Sequence, residues 1–210
     1  MKKNIIIIFC FAILVSIPAF TYSAEGFYLS GNFGLAAPTD SDVTDSTMPG
    51  DTFVFDLDGG WAFGVAAGYG FSKNLRFEVE AVYQKNDLKN IIYMNTGFPA
   101  DGDVTNSGLL LNGYCDIING SNFISFLSGG VGYNEYKIKD MSVQGVPLPP
   151  ESYDDTIFVF HIGGGVGYML NSDVTLDFKY RYLMGSDPEF GTTKAEFKTH
   201  NFYMGLRLAF

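Results

Sequence analysis

Two histidines, a group of aspartates and a set of alternating charges are the residues of this chain with chemistry to offer. His161 and His200 are the only imidazoles. A hydrolase acting on lipid or peptide needs a histidine held against a serine nucleophile and an acid. His161 lies in a run of glycines, His200 opens the last patterned segment, and neither stands in a His-x-Ser arrangement. The expectation is no catalytic residue, and two polar histidines in an interior or at an interface. Asp40, Asp42, Asp45, Asp51, Asp56 and Asp58 fall together with no Lys or Arg among them. Asp40-x-Asp42-x-x-Asp45 is close to calcium-loop spacing, but the central Gly and the closing Glu are missing. A solvated acidic loop is expected, with no metal site and no cofactor. The third set is Arg76-x-Glu78-x-Glu80, Asp177-x-Lys179-x-Arg181, Asp116 and Arg207. Charges at every second position share one face of a strand. Four acids and four bases facing inward must pair to be tolerable.

The composition says what carries these residues. The chain has 210 residues, enough for one domain; 16% are aromatic and 25 are Gly, but only 17% are charged. That balance implies β-structure with one face in an apolar environment. A net charge of −10 argues against nucleic acid as a partner, because phosphates need a basic patch. Residues 1–24 read as a cleaved secretory signal peptide. Lys2 and Lys3 precede the apolar run Ile5 to Ile17, Pro18 breaks it, and small residues end at Ser23 and Ala24. The run is short of the roughly 20 apolar residues a spanning helix needs. Cys10 leaves with this leader, and the bulky Phe9 before it argues against lipidation. Cys115 then stands alone, so no internal disulfide is expected. No later segment could cross a membrane as an apolar helix, so an integral protein would have to be a closed barrel.

A period of two recurs through residues 25–210 and predicts an all-β, eight-stranded antiparallel up-and-down barrel. The expected strands are about 26–36, 60–71, 75–84, 107–117, 123–138, 156–170, 174–183 and 199–210. Phe27, Leu29, Phe33 and Leu35 oppose Tyr28, Ser30 and Asn32 in the first. Val79 opposes Arg76, Glu78, Glu80 and Val82 in the third. The fourth is less clean, because Leu109, Leu110 and Leu111 are consecutive. So is the fifth, where Ile124 and Phe126 fall on the polar face. Three connections are short (Ser72–Asn74, Ile118–Asn122, Asn171–Asp173) and four are long (about 37–59, 85–106, 139–155 and 184–198). The seven prolines after the leader all fall in the long ones, as expected of a residue that cannot donate to a ladder. Short–long alternation is how outer-membrane barrels are built. The face opposite the apolar one is mostly Gly, Ala and Ser, which suits a narrow interior. The apolar face turns aromatic toward the strand ends (Trp61, Tyr69, Tyr83, Tyr133, Tyr168, Tyr182, Phe210), as girdles at membrane–water boundaries do.

The segments GFYLSGNFG, FGVAAGYGF, LRFEVEAVYQ, FLSGGVGY, HIGGGVGYML, VTLDFKYRYL and FYMGLRLAF resemble strands of the small outer-membrane β-barrel superfamily. That group includes opacity-type porins, the barrel domain of outer-membrane protein A, and surface antigens of rickettsia-like bacteria. The resemblance covers residues 26–210 and implies an integral outer-membrane barrel with periplasmic termini. It implies that Phe210 is the signal read by the barrel-assembly machinery, and that the peptidoglycan-binding domain of outer-membrane protein A is absent. Expected partners are outer-membrane lipid and lipopolysaccharide, the barrel-assembly machinery, and host or environmental ligands at four long extracellular loops. In an eight-stranded ring the third strand faces the seventh. Arg76 is therefore expected at the height of Asp177, and Glu78 and Glu80 near Lys179 and Arg181. The functional expectation is a non-enzymatic surface barrel with an ionic plug, the alternative a small porin with a narrow diffusion channel.

Overall fold

The computed structural model describes residues 25–39, 41–45, 52–93, 96–147, 152–190 and 193–210. The expected signal peptide, with Cys10, lies outside them, as do Asp40 and Asp51. Eight long strands build the wall: β1 (Gly26–Pro38), β2 (Gly60–Ser72), β3 (Leu75–Tyr93), β4 (Thr96–Ile118), β5 (Phe123–Val143), β6 (Ser152–Met169), β7 (Val174–Gly185) and β8 (Lys198–Ala209). Each pairs antiparallel with its sequence neighbours, and β1 pairs with β8, so the sheet closes into a ring of 8. Closure removes both edges of the eight-stranded ring.

The three short turns are each closed by a side-chain oxygen that accepts a backbone N–H. Ser72 Oγ takes Asn74 N–H, Asn119 Oδ1 takes Ser121 N–H, and Asn171 Oδ1 takes Asp173 and Val174 N–H. Such local acceptors are why Ser and Asn concentrate in tight turns.

The long connections differ from the expected loops. The segment 85–106 is mostly a continuation of β3 and β4, which stay paired out to Tyr93 and Thr96. Strands β5 and β6 likewise stay paired out to Lys139 and Ser152. Beyond its ladder β5 turns back through Gln144 and Gly145, whose φ values of 51° and 77° are those of a type I′ hairpin. The first and fourth connections carry short strands of their own, Ser41–Asp45, Thr52–Leu57, Glu189–Phe190 and Thr193–Ala195. Thr52–Leu57 pairs with the far end of β3, Ser41–Asp45 pairs with it in turn, and Thr193–Ala195 adds next. The wall therefore rises past the ends of β1, β2, β7 and β8 on strands borrowed from two distant connections.

The prolines follow suit. Pro38 ends β1, Pro99 lies within β4 and Pro147 in a two-residue strand. Pro99 takes part through its carbonyl, which accepts Gln144 N–H at 2.8 Å. Proline placement thus marks the upper wall as well as loops. Pro49, Pro149 and Pro150 lie outside the described residues.

Faces alternate as the period predicts. Leu109 and Leu111 are 60% and 55% exposed and Leu110 only 1%, which resolves the triple leucine. Ile124 and Phe126 are buried inside. Outward lies a continuous apolar band with an aromatic belt at each rim. Phe27, Tyr69, Phe71 and Phe77 pack ring to ring at the short-turn end. Trp61 against Tyr83 and Tyr133 against Phe158 mark the other rim.

Above that second belt the alternation inverts. On β3 the outward residues change from Phe77, Val79 and Tyr83 to Lys85, Asp87 and Lys89, while the inward ones change from Glu78 and Glu80 to Leu88. On β5 and β6 the outward face becomes Glu135, Lys137, Thr156 and Asp154, and the inward face becomes Tyr136, Ile138, Ile157 and Val159. These inward residues form one apolar core with Val104, Leu110 and Leu183, capped by Val43 and Phe55 from the first connection and Ala195 and Phe197 from the fourth.

Candidate functional site

Inside the membrane-height part of the ring, the charges occupy two levels. Nearest the short turns, Arg76 and Arg207 each hold a carboxylate. Arg76 Nε donates to both oxygens of Asp116, at 3.1 and 2.9 Å. Arg207 donates from Nε and Nη2 to the two oxygens of Asp177, each at 3.1 Å. The Arg76 guanidinium lies 3.9 Å from the ring centre of Tyr114, so cation–π attraction adds to the ion pair.

One level up are Glu78 and Glu80. Glu80 accepts Arg181 Nη2 at 2.5 Å and Asn112 Nδ2 at 2.8 Å, and both members of the ion pair are buried. Glu78 is held without an ion pair. It accepts the hydroxyls of Tyr114 and Tyr28, at 2.6 and 3.1 Å, and Asn112 Nδ2 at 3.1 Å. Three donors around one carboxylate satisfy most of its lone pairs, which a buried anion requires. Lys179 sits 5.9 and 6.0 Å from the ring centres of Tyr114 and Tyr203 and makes no ion pair within 4.0 Å among the described residues.

The eight expected interior charges thus all lie in the ring, and β3 meets β7 through Glu80 and Arg181. Arg76 and Asp177 stand on one level, as expected, but do not pair with each other. Arg76 takes Asp116 on the adjacent β4 rather than Asp177 across the ring, and Asp177 takes Arg207 on the adjacent β8. Adjacent-strand partners lie one ladder step away, so shorter reach wins. Glu78 is served by tyrosines and asparagine rather than by Lys179. Tyr28, Asn112 and Tyr114 already stood on polar-facing positions in the sequence, and that alternation was the signal for their role. Glycines opposite make the room. A Cβ on Gly64 would stand 2.5 Å from Glu80 Oε1, and one on Gly68 would overlap the Tyr28 ring.

Above the ions lies a belt of amides. Gln84 Nε2 donates to Asn86 and Thr199, Asn201 Nδ2 to Gln84 and Tyr203, and Asn134 Nδ2 to Asn106. The apolar core begins directly above it.

The other candidates for chemistry are dispersed. His161 is buried inside, its Nε2 2.8 Å from Asn112 Oδ1. His200 is on the opposite, outward face, its Nδ1 2.8 Å from the Tyr180 hydroxyl and its ring stacked on Tyr182. The two cannot share a substrate. Among the acidic group, Asp56 accepts Asn90 Nδ2 at 2.8 Å and Asp58 pairs with Lys89 at 3.3 Å. The hydrogen bond to Asp58 holds the Lys89 ammonium above its ordinary range. Asp42 and Asp45 lie on the short strand Ser41–Asp45. Two of the aspartates of the loop that carries no base of its own are therefore met by the far end of β3. Cys115 is exposed on the outward face.

The geometry on the page is a closed ring with an apolar exterior band, two aromatic rims and a charged interior. A family model described as an outer membrane protein beta-barrel domain matches residues 7–210. This chain belongs to that family. The barrel is an integral protein of a Gram-negative bacterial outer membrane. Solved structures share its fold. Neisserial surface protein A is 19% identical with a TM-score of 0.55, and 91% of this chain aligns with 100% of that one. The outer membrane protein OprG from Pseudomonas aeruginosa is 18% identical with a TM-score of 0.53, over 90% of this chain and 99% of that one. The outer membrane protease OmpT from Escherichia coli is 7% identical with a TM-score of 0.56, over 91% of this chain and 99% of that one. No curated protein sequence matches the barrel. At these identities the likeness is one of fold, and a fold hosts many functions.

Proposed function

We propose that the barrel is a closed, non-enzymatic scaffold that presents its long-hairpin end to the outside of the cell. One observation carries this reading. The interior is filled twice over, by the paired charges at membrane height and by the apolar core above them. A narrow diffusion channel would need a polar path through that core, and the apolar contacts there oppose it. The separation of His161 from His200 by the barrel wall supports a role without catalysis. With residues 1–24 as a cleaved signal peptide, the short turns and both termini face the periplasm, and Phe210 is the residue read by the assembly machinery. The rim above Trp61 and Tyr83 then meets lipopolysaccharide, and host or environmental ligands dock on the hairpin end, where a rigid scaffold displays its connecting segments.

Planar-bilayer recording of the refolded protein tests the closed state. No unitary current steps are expected. Stable, reproducible steps from heat-modifiable, folded material would replace this reading with the channel.

A further inference from the structure

The lipid-facing band is not smooth. Leu35, Phe202 and Tyr180 stand side by side on one rung of β1, β8 and β7, and the next position on that rung is Gly164 of β6. Ile162 and Val166, the outward positions on either side of Gly164 along β6, both carry exposed side chains. Gly164 therefore leaves a gap in the outer relief of the wall. Phe33, Met204 and Phe178 form the rung below, and the two rungs line an apolar groove of about 550 Å³. That size lies within the roughly 300–1,000 Å³ of sites that hold small ligands. Leu35 pairs with Trp61 of the second rim, so the groove lies directly beneath that rim.

One polar feature meets the groove. The Tyr180 hydroxyl lies 2.8 Å from His200 Nδ1, and the His200 ring stacks on those of Tyr180 and Tyr182, with ring centres 6.0 and 4.7 Å away. These contacts fix the imidazole at the rim. With Tyr180 donating to Nδ1, the remaining ring nitrogen carries the hydrogen and is a donor. Lys198, the next outward residue of β8, balances Glu196 at 2.7 Å, so neither charge stands alone beside that donor. A fixed donor above an apolar groove fits an amphiphile with an anionic, accepting head and an acyl tail. The band as a whole meets lipid as a solvent, but this place differs from the rest of it. A chain lying in the groove is touched on its floor and both flanks, and so gathers more dispersion contacts than one lying on the band. We propose that the groove is a binding site for one lipopolysaccharide molecule, with an acyl chain over Gly164 and a phosphate oxygen accepting from His200 Nε2–H. The proposal rests on the reading that the hairpin end faces outward, which puts the groove in the leaflet that carries lipopolysaccharide.

Native mass spectrometry of the full mature barrel in detergent is the test, with rough lipopolysaccharide and phosphatidylglycerol added in separate arms. The unaltered barrel should retain one lipopolysaccharide at detergent levels that strip the phospholipid. Gly164→Leu, which fills the gap, should lower that retention about tenfold and His200→Ala about threefold. Leu109→Ala, outward on β4, should leave it unchanged. No retained lipid, undiminished retention in Gly164→Leu, or an equal loss in Leu109→Ala is the behaviour of ordinary annular lipid and overturns the site. Equal retention of phosphatidylglycerol overturns it too. Should Gly164→Leu fail to assemble, Leu35→Ala combined with Phe178→Ala lowers one side chain of each rung without adding atoms and gives the same reading. Protease cleavage of the hairpin end on intact cells reads the orientation separately. A protected end would overturn the outward reading, whereas a cleaved end with no lipopolysaccharide retained by the purified barrel overturns the site alone.

Discussion

The lower and upper halves of this barrel are built on opposite rules. Between the aromatic rims, Val79, Leu109 and Leu111 face out while Glu78, Glu80 and Asn112 face in. Above the second rim, Lys85, Lys137 and Thr156 face out while Leu88, Ile138 and Ile157 face in. The backbone alternation runs through both halves without a break in β5 and β6. What changes is the solvent. Lipid takes apolar side chains and leaves the polar ones to satisfy each other inside, whereas water takes the charges and drives the apolar ones into a core. One continuous strand therefore records where the bilayer ends, at the rung of Tyr83, Ser107, Glu135 and Thr156.

Substitutions that obey one rule and violate the other break or sharpen this contrast. The largest effect is expected inside the lower half. Glu80→Ala leaves Arg181 buried without its anion and should cost about 3–5 kcal/mol, whereas replacing both by leucine should recover much of that loss. Urea unfolding of protein refolded into vesicles measures both, and equal losses in the two variants would show that the pair is not what matters there. In the upper half the sensitive group is apolar. Leu183→Ala should cost about 2–5 kcal/mol in the same assay, with proteolysis of the hairpin end appearing before loss of the membrane-embedded ring. Uniform unfolding would mean that the two halves are one cooperative unit.

The outward face separates the halves next. Val79→Lys should cost about 2–4 kcal/mol and reduce membrane assembly, while Thr156→Lys, outward but above the rim, should change stability by less than about 0.5 kcal/mol. Comparable membrane yields would move the boundary drawn here. Val82 faces inward, and it packs against the apolar core. Val82→Lys is therefore expected to be poorly tolerated, although a purely polar interior would have accepted it. The smallest effect belongs to the half-exposed Lys85–Asp103 pair, 2.7 Å apart. Lys85→Ala should cost no more than about 1 kcal/mol, read as a shift in thermal midpoint.

Much of the lower half was legible in the sequence because its signals are local. A side-chain period of two separates the faces, and a Ser or Asn in each short turn stops the strand. The Arg76-x-Glu78-x-Glu80 and Asp177-x-Lys179-x-Arg181 spacings place the charges on the interior side. The upper half was harder to read. Residues 85–106 look like a loop because their outward Lys85, Asp87 and Lys89 and inward Leu88 reverse the pattern that defined the strands below. The reversal was visible, but it has meaning only once water replaces lipid around the wall. Ile157 and Val159 on the polar phase of β6 carried the same message.

By itself the sequence determined the number of long strands and, in the lower half, the face each strand residue takes and the set of charges sent inside, because alternation along one strand needs no knowledge of any other. Only the tertiary structure decided which charges touch. Arg76 finds Asp116 rather than Asp177, and Glu78 is held by Tyr28 and Tyr114, because partner choice depends on ladder register and on the space that Gly64 and Gly68 leave open. It also decided that Val43 and Phe55 meet Ala195 and Phe197 above the ring. Segments so far apart in the chain are brought together only when β1 closes on β8, and no local pattern encodes that closure.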